Sequence, residues 1–261
     1  MSRPVCSRLP VAVDLPLLLQ ALQAIAEEAW HGHFNTDYFT GDWSGVALIS
    51  AADALTELSP GRGETLQRTP WLCDERWRLG LRDLTLDIVC ARLLRLGPGG
   101  RIHEHRDYDL EGPDADLRLH IPLLSPPAVD FWLDDQRVLM AAGECWFLDL
   151  ARAHRVDNFD TCARIHLVLD CRPGAWLKQK IAEGLRDTPA TQPADSALQQ
   201  FQRRVAGDAA LAATLQHMAE PELFIERTLE LAAEHGLPFS REELRAAMRS
   251  GRRQWNEQWS G

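Results

Sequence analysis

The first apolar pattern along the chain has the spacing of an amphipathic helix. Between Asp14 and about Trp30, leucine and other apolar residues recur every three or four positions, which is the period of one helix face. Asp14 can accept hydrogen bonds at the first turn, and proline is tolerated there. We therefore expect a flanking helix in this segment.

From Trp43 to Arg172 the pattern changes to short apolar runs separated by glycine, proline and aspartate. Seven of these runs have the length and residue types of strands: WSGVALIS, LTLDIVCARLLRL, LRLHIPLL, AVDFWLDD, RVLMA, GECWFLD and ARIHLVLDC. A parallel sheet would need a helix between successive strands, and the segments between these runs do not show a regular helical spacing of apolar residues. The sequence predicts an antiparallel sandwich or jelly roll, with a short connecting helix from Asp74 to Gly80.

After Trp176 the strand pattern stops. Residues 186–196, RDTPATQPADS, have the composition of an interdomain linker. Beyond them apolar residues again follow helical spacing, and Ser240 to Glu243 has the sequence of a capping box. We expect three parts: a β-rich domain over residues 1–185, a linker over 186–196 and an all-helical C-terminal domain over 197–261.

Composition narrows the class of protein. The chain has 261 residues, 45% hydrophobic and 25% charged, which is typical of a globular protein. A net charge of −10 argues against a protein that coats nucleic acid. No apolar stretch approaches the roughly 18 residues of a membrane span, so neither nucleic acid nor membrane is an expected partner.

The location can also be inferred from composition. The first twenty residues carry proline and aspartate inside their apolar part and make a poor signal peptide. The six cysteines are scattered without a C-x-x-C pair, which favours buried free thiols over disulfides or a zinc site. We expect a cytoplasmic protein.

Candidate chemistry is concentrated in the β-rich region. In RIHEHRDYD, the residues His103, His105 and Asp107 alternate and are expected on one face of a strand. His154 follows about fifty residues later. Two histidines and one carboxylate can occupy one face of Fe(II) and leave the other positions open. Arg164, ten residues after His154, can bind a carboxylate through its two-pronged guanidinium.

These motifs resemble the aspartyl/asparaginyl/proline hydroxylase family of Fe(II)- and 2-oxoglutarate-dependent dioxygenases. RIHEHRDYDLEGP, RLHIPL, AAGECWFLD, HRVDN and RIHLVLD have the family's order and spacing, and the layout is most similar to that of bacterial proline 3-hydroxylases. The resemblance implies a mainly β fold with a double-stranded β-helix core, which is a jelly-roll or cupin-like structure. It assigns the iron ligands to His105, Asp107 and His154.

On the same resemblance, Arg164 binds the distal carboxylate of 2-oxoglutarate, and Arg118 lies near a carboxylate of the cosubstrate or the substrate. The implied reaction uses Fe(II), 2-oxoglutarate and O₂ to hydroxylate an amino-acid side chain of the proline, aspartate or asparagine type, free or in a peptide, with release of succinate and CO₂. His105 is preferred to His103 as a ligand because only His105 has an aspartate two positions later. The segment HGHFNTDYF, residues 31–39, is a candidate wall of the substrate pocket.

The C-terminal region resembles the Nif-type leader-peptide domain of ribosomal peptide precursors. The matching features include Leu198, Phe201, Pro221 and Gly236. This resemblance implies a precursor peptide or a tailoring enzyme as a partner of the helical tail. The alternative is an ordinary helical bundle that packs on the β-rich domain, because apolar helix stripes usually form a core.

Two other functions stay open at this point. A cupin-type dioxygenase that does not use 2-oxoglutarate is suggested by His103-Glu-His105 with Glu111 and by His154-x-x-x-Asn158. The absence of Pro-x-Gly before His154 and the presence of Arg164 count against it. A non-catalytic peptide-binding barrel is the other possibility, although a binding module has no need of a complete metal-binding triad.

Overall fold

The computed structural model describes residues 3–59, 61–134, 136–185, 197–198, 201–202, 205, 209–216, 218 and 220–248. The chain divides into two compact units, residues 1–191 and 192–261. The predicted linker at 186–196 lies outside the described residues, so the predicted domain boundaries stay predictions.

The first unit contains strands β1 to β13 and helices α1 to α4. In chain order the strands are Cys6–Arg8, His31–Gly32, Phe39–Thr40, Trp43–Ala51, Thr65–Gln67, Ile88–Leu96, Arg101–His105, Leu117–Leu124, Val129–Leu133, Gln136–Arg137, Trp146–Leu148, His154–Asn158 and Arg164–Cys171. The helices are Leu15–Gln23, Thr69–Cys73, Arg76–Gly80 and Ala175–Gly184.

These strands form two antiparallel sheets. The larger sheet has the order β1-β11-β8-β13-β6-β4-β2, with β5 paired to β4, and the smaller has the order β10-β9-β12-β7-β3. Neighbours in each sheet are often far apart in sequence, so the chain crosses repeatedly between the two sheets. The expectation of a mainly β, antiparallel unit with flanking helices is confirmed.

The larger sheet buries both of its faces. On one face Leu93, Leu119 and Leu167 pack in a cluster with side chains of α1, α3 and α4. A second apolar cluster joins residues of the larger sheet, such as Leu96, to residues of the smaller one, such as Phe131. Because side chains alternate along a strand, residues between the leucines of β8 and β13 face away from the helices, and several of these are polar.

Helix α1 begins as predicted and ends earlier. The Asp14 carboxylate accepts the N–H of Leu17 at 3.2 Å, but the helix stops at Gln23 instead of continuing to Trp30. Residues 27–29 form a 3₁₀ turn whose Glu27 binds the Arg95 guanidinium with two hydrogen bonds, of 2.7 and 2.9 Å. Trp30 packs on the same guanidinium, 4.4 Å from ring centre to Cζ. This contact with β6 replaces the last helical turns.

Three other expectations need adjustment. The run RVLMA, residues 137–141, has strand structure only at its first residue, and the connecting helix starts at Arg76 instead of Asp74. Four of the cysteines are buried, but Cys73 and Cys162 are exposed.

None of the helices in the described part of the chain is long and apolar enough to cross a membrane.

The described residues of the second unit are mainly helical. Helices α5 and α6 span Ala209–Gln216 and Pro221–Glu234, and residues 241–248 are also helical. Phe201, Leu211 and Leu231 belong to one buried cluster. The capping box closes in both directions, because the Ser240 N–H donates to Glu243 Oε2 at 2.7 Å and the Glu243 N–H donates to Ser240 Oγ at 3.1 Å.

Candidate functional site

A row of buried polar side chains covers the face of the larger sheet that is turned away from the helices. These side chains come from three adjacent strands: Arg92 on β6, Arg118 and His120 on β8, and Arg164, His166 and Asp170 on β13, all at most 8% exposed. Most of them line a cavity of about 320 Å³, a volume within the usual range of small-molecule sites. Buried charge is costly unless it is paired, so this row indicates a functional site.

The three predicted metal ligands meet at this cavity. His105 on β7 and His154 on β12 are direct cross-strand partners, and Asp107 follows the end of β7. One ligand atom from each residue lies within 4.8 Å of the others. His105 Nε2 is 3.6 Å from Asp107 Oδ1, and His154 Nε2 is 3.9 Å from Asp107 Oδ2. This donor set and spacing could hold a metal ion.

Hydrogen bonds prepare both histidines for a metal. His105 Nδ1 lies 2.7 Å from the carbonyl oxygen of His103, and His154 Nδ1 lies 3.0 Å from that of Arg152. A carbonyl only accepts, so each Nδ1 carries a proton, and Nε2 is the atom of each ring that is left to bind a metal. Burial lowers the pKa of His154 to about 4, so that ring is neutral at pH 7 and able to bind a cation.

His103 does not share a face with His105, contrary to the alternation expected from sequence. Opposite His154 and Val156, the partners on β7 are His105 and Ile102, so the register shifts and the ladder contains an irregularity. An extra residue in one strand reverses the side on which later side chains point. Ile102 and His105 therefore both line the cavity, and His103 is exposed and contributes its backbone carbonyl.

Arg164 is an unpaired cation in the cavity wall. Its side chain is 2% exposed, and among the described residues it makes no ion pair with a carboxylate. Nη2 donates to His166 Nδ1 at 2.7 Å, but Nε has no hydrogen-bond partner. Burial lowers the pKa of Arg164 to about 9, which leaves it charged at pH 7. The arrangement provides a binding position for an anion.

Arg118 is held differently from Arg164. Its Nε and Nη2 donate to the two carboxylate oxygens of Asp170, at 2.6 and 2.9 Å, and its Nη1 donates to Asp107 Oδ2. Arg92 Nη2 also donates to Asp170, at 2.5 Å. The predicted anchor for a cosubstrate or substrate carboxylate is thus already hydrogen-bonded to two carboxylates of the chain, one of them a candidate metal ligand, and a third, that of Asp109, lies 3.7 Å from Nη2.

Sequence reasoning missed His120, although its alternation with Arg118 on β8 was a usable signal. Arg164 donates to the single lone pair of His166 Nδ1, and His120 Nδ1 lies 3.2 Å from the same atom. Burial and the nearby Arg164 cation hold the pKa of His120 well below its usual value. The neutral ring leaves its Nε2 without a hydrogen-bond partner among the described residues, in the cavity wall.

Segment 31–39, the candidate wall, does contribute to the cavity through His33, Phe34, Asn35 and Tyr38. The His33 ring is stacked on Trp43 with centroids 3.5 Å apart, and the Tyr38 ring is stacked on His105 at 5.2 Å. Phe34, Tyr38 and Tyr108 are exposed. The entrance is therefore aromatic, whereas the interior combines the buried arginines and histidines with apolar side chains such as Phe131 and Val156.

Comparison with known proteins gives two sequence matches. The family model described as Aspartyl/Asparaginyl beta-hydroxylase matches residues 20–173, more than half of the chain. The model of the Nif11 domain matches residues 194–244.

Similar solved structures are distant. An oxidoreductase of the 2OG-Fe(II) oxygenase family from Burkholderia pseudomallei is 14% identical, with 61% of this chain and 78% of that chain covered and a TM-score of 0.43. A prolyl-4-hydroxylase from Pseudomonas putida is 15% identical, with 61% and 86% covered and a TM-score of 0.37. A predicted oxalate decarboxylase from Thermotoga maritima is 11% identical, with 56% and 93% covered and a TM-score of 0.33. The family assignment therefore rests on the sequence match.

Proposed function

The chain belongs to the aspartyl/asparaginyl beta-hydroxylase family, and we propose that it is an Fe(II)- and 2-oxoglutarate-dependent dioxygenase that hydroxylates an amino-acid side chain. The observation that carries the proposal is the meeting, in one cavity, of the His105, Asp107 and His154 ligand set with the unpaired cation of Arg164. In this proposal the two antiparallel sheets form a double-stranded β-helix.

The residues present fit Fe(II). Two imidazole nitrogens and one carboxylate can bind one face of the ion and leave its remaining positions open. The hydrogen bonds to the carbonyls of His103 and Arg152 fix each ring with Nε2 free, which is the usual support for a metal-binding histidine. Fe(II) and 2-oxoglutarate, when bound, activate O₂ for hydroxylation of a C–H bond, with succinate and CO₂ as products.

The charges fit 2-oxoglutarate as well. Arg92 and Arg118 are balanced by Asp107 and Asp170, whereas Arg164 has no acidic partner among the described residues. A carboxylate bound to Arg164 would fill its unused donor position and remove an uncompensated buried charge. We assign the distal carboxylate of 2-oxoglutarate to this position. Arg118 then acts through Asp107, and its contact with a carboxylate of cosubstrate or substrate stays a prediction.

The substrate is proposed as a proline, aspartate or asparagine side chain, free or in a peptide. In this proposal the walls from segment 31–39 orient the side chain that enters the cavity. The Nif11 match supports a precursor peptide or a tailoring enzyme as a partner of the second unit.

The cupin alternative finds less support in the geometry. His103 and Glu111, which that reading needs as ligands, are both exposed and do not line the cavity. Asn158 is fully buried and donates to the carbonyls of Leu96, Gly97 and Cys162. Its role is therefore structural, and it is not available as a metal ligand.

Turnover tests the proposal. Protein loaded with Fe(II) is incubated with 2-oxoglutarate, O₂ and either free amino acids or peptides that contain the same residues, and succinate is measured together with a substrate mass gain of one oxygen. We expect both signals to depend on 2-oxoglutarate and to be lost in His154→Ala. Oxidation of a substrate without consumption of 2-oxoglutarate would favour the cupin function. Peptide binding that needs no metal, with no turnover, would favour the non-catalytic barrel.

A further inference from the structure

Asp170 lies at the centre of a row of charges that crosses three strands. It is on β13, the strand between β8 and β6. Arg118 on β8 is its direct cross-strand partner. On the other side its partner is Cys90, so Arg92 on β6 is the diagonal neighbour. Neighbours in both positions are within reach of long side chains, and the register of the sheet therefore brings two arginines to one carboxylate.

Asp170 defines the orientation of the Arg118 guanidinium. Two of the three nitrogens of Arg118 donate to Asp170, one to each carboxylate oxygen, and a planar two-pronged contact of this kind fixes direction as well as distance. Arg92 holds Asp170 from the opposite side at 2.5 Å. Although burial alone would raise it, the two cations hold the pKa of Asp170 below its usual value, so the carboxylate stays charged.

The remaining nitrogen of Arg118 is directed at the metal site. Nη1 donates to Asp107 Oδ2. Asp107 lies beyond the last residue of β7, where the strand ladder no longer fixes its position, and its backbone N–H is held by Leu150 O at 2.9 Å. The carboxylate itself is held by Arg118. Its orientation thus depends on a residue that is fixed from behind by Asp170.

We propose that Asp170 is a positioning residue of the metal site, which holds Arg118 so that Arg118 keeps the Asp107 carboxylate in its metal-binding orientation. This inference rests on the proposed function in one respect: the triad must bind a metal. Supporting groups of this kind usually change metal affinity by about 10- to 100-fold.

The test compares two buried aspartates in the full-length protein. Asp170→Asn is compared with Asp157→Asn, in which a carboxylate of similar burial loses its pairing with Arg101 outside the cavity. Anaerobic Co²⁺ binding is measured by calorimetry and by the visible bands of the ion, and circular dichroism monitors folding. We expect Asp170→Asn to bind Co²⁺ about 10- to 100-fold more weakly and Asp157→Asn to bind like the wild type.

Arg118→Gln distinguishes positioning from a general loss of structure. It removes the intermediary and leaves Asp170 paired with Arg92, so it should weaken Co²⁺ binding as much as Asp170→Asn does. In the Arg118→Gln background, Asp170→Asn should cause no further loss. If Asp170→Asn does not fold, Asp170→Glu takes its place: it keeps the charge but displaces the Arg118 guanidinium, so it should also weaken Co²⁺ binding, and an unchanged affinity would overturn the inference.

Three results would overturn the inference: unchanged Co²⁺ affinity in Arg118→Gln or Asp170→Asn, equal weakening in Asp157→Asn, or an independent further loss in the double variant. Failure of the wild type to bind Co²⁺ would instead remove the metal site, and the proposed function with it.

Discussion

Replacement of Arg164 by methionine is expected to stabilise the ligand-free protein and to weaken cosubstrate binding. At pH 7 Arg164 is protonated in both the folded and the unfolded chain, because pH 7 lies below its folded pKa of about 9 and further below its higher pKa in the unfolded chain. The folded state therefore bears the full penalty of the buried charge. Burial lowers the pKa of Arg164 from its ordinary value to about 9, which corresponds to a penalty of roughly 5 kcal/mol.

The net change is smaller than that penalty. Methionine keeps the apolar stem but loses the hydrogen bond to His166 at 2.7 Å, a charged contact that contributes about 1.5–3 kcal/mol. A stabilisation of about 2 kcal/mol remains, which raises Tm by about 4–8 °C for a unit of this size. The affinity for 2-oxoglutarate should fall about 100-fold or more, because a buried charge-assisted pair is worth about 2–5 kcal/mol.

The assay is thermal unfolding of the anaerobic Fe(II) protein with and without 2-oxoglutarate, combined with calorimetric titration of 2-oxoglutarate. Arg92→Met is the matched control. Arg92 is also buried, but it is paired with Asp170 and with the carbonyl of Leu58, so its loss should lower stability by about 2–4 kcal/mol. If Arg164→Met lowers Tm as Arg92→Met does and binds 2-oxoglutarate like the wild type, Arg164 is a structural residue and the reasoning is refuted.

Three further predictions concern the ligand choice, the titration of a wall residue and a tight contact in the fold. His105→Ala should abolish Co²⁺ binding measured by calorimetry, whereas His103→Ala should leave it unchanged; a loss in both variants would contradict the irregular register of β7. Burial lowers the pKa of His33 to about 3, so between pH 6.5 and 3 only the unfolded chain binds this proton. The free energy of unfolding should therefore be unaffected by His33 above about pH 7 and should fall by up to about 1.4 kcal/mol per pH unit below 6.5. His33→Phe, which keeps an aromatic ring against Trp43, should reduce the pH dependence of urea unfolding between pH 7 and 5, and an identical dependence would count against it. Gly184→Ala should lower stability by about 1–3 kcal/mol, because a Cβ there would clash with the carbonyl oxygen of Arg8. Gly174→Ala is the control, since a Cβ at that position would meet nothing within 4 Å; equal Tm values for the two variants would exclude the contact.

The fold class was predictable because strand patterns depend on local alternation. The runs at Trp43 and Arg164 became strands with nearly the expected bounds. The end of α1 was not predictable, because the contacts of Glu27 and Trp30 with Arg95 join residues far apart in sequence. Periodicity carries no information about such partners.

The candidate site was likewise predictable only where it depends on local sequence patterns. The spacing of His105, Asp107 and His154 identified the triad residues that the fold brings together, but alternation placed His103 on the wrong face, since the irregularity in β7 is a property of strand pairing. The proposed role of Arg118, which is to hold the Asp107 carboxylate, depends on Asp170, and only the sheet register makes Arg118 and Asp170 neighbours. The alternating polar residues of RLH and RIHLVLD were a signal of a buried polar face that sequence reasoning did not use.

The most direct test of the proposed function is an anaerobic titration of the apoprotein with Fe(II) and then with 2-oxoglutarate. The weak visible charge-transfer band of the chelate should form in the wild type and be absent in His154→Ala. In Arg164→Ala it should require far more 2-oxoglutarate. Metal binding without the band would contradict the use of 2-oxoglutarate, and the absence of metal binding would contradict the enzyme assignment altogether.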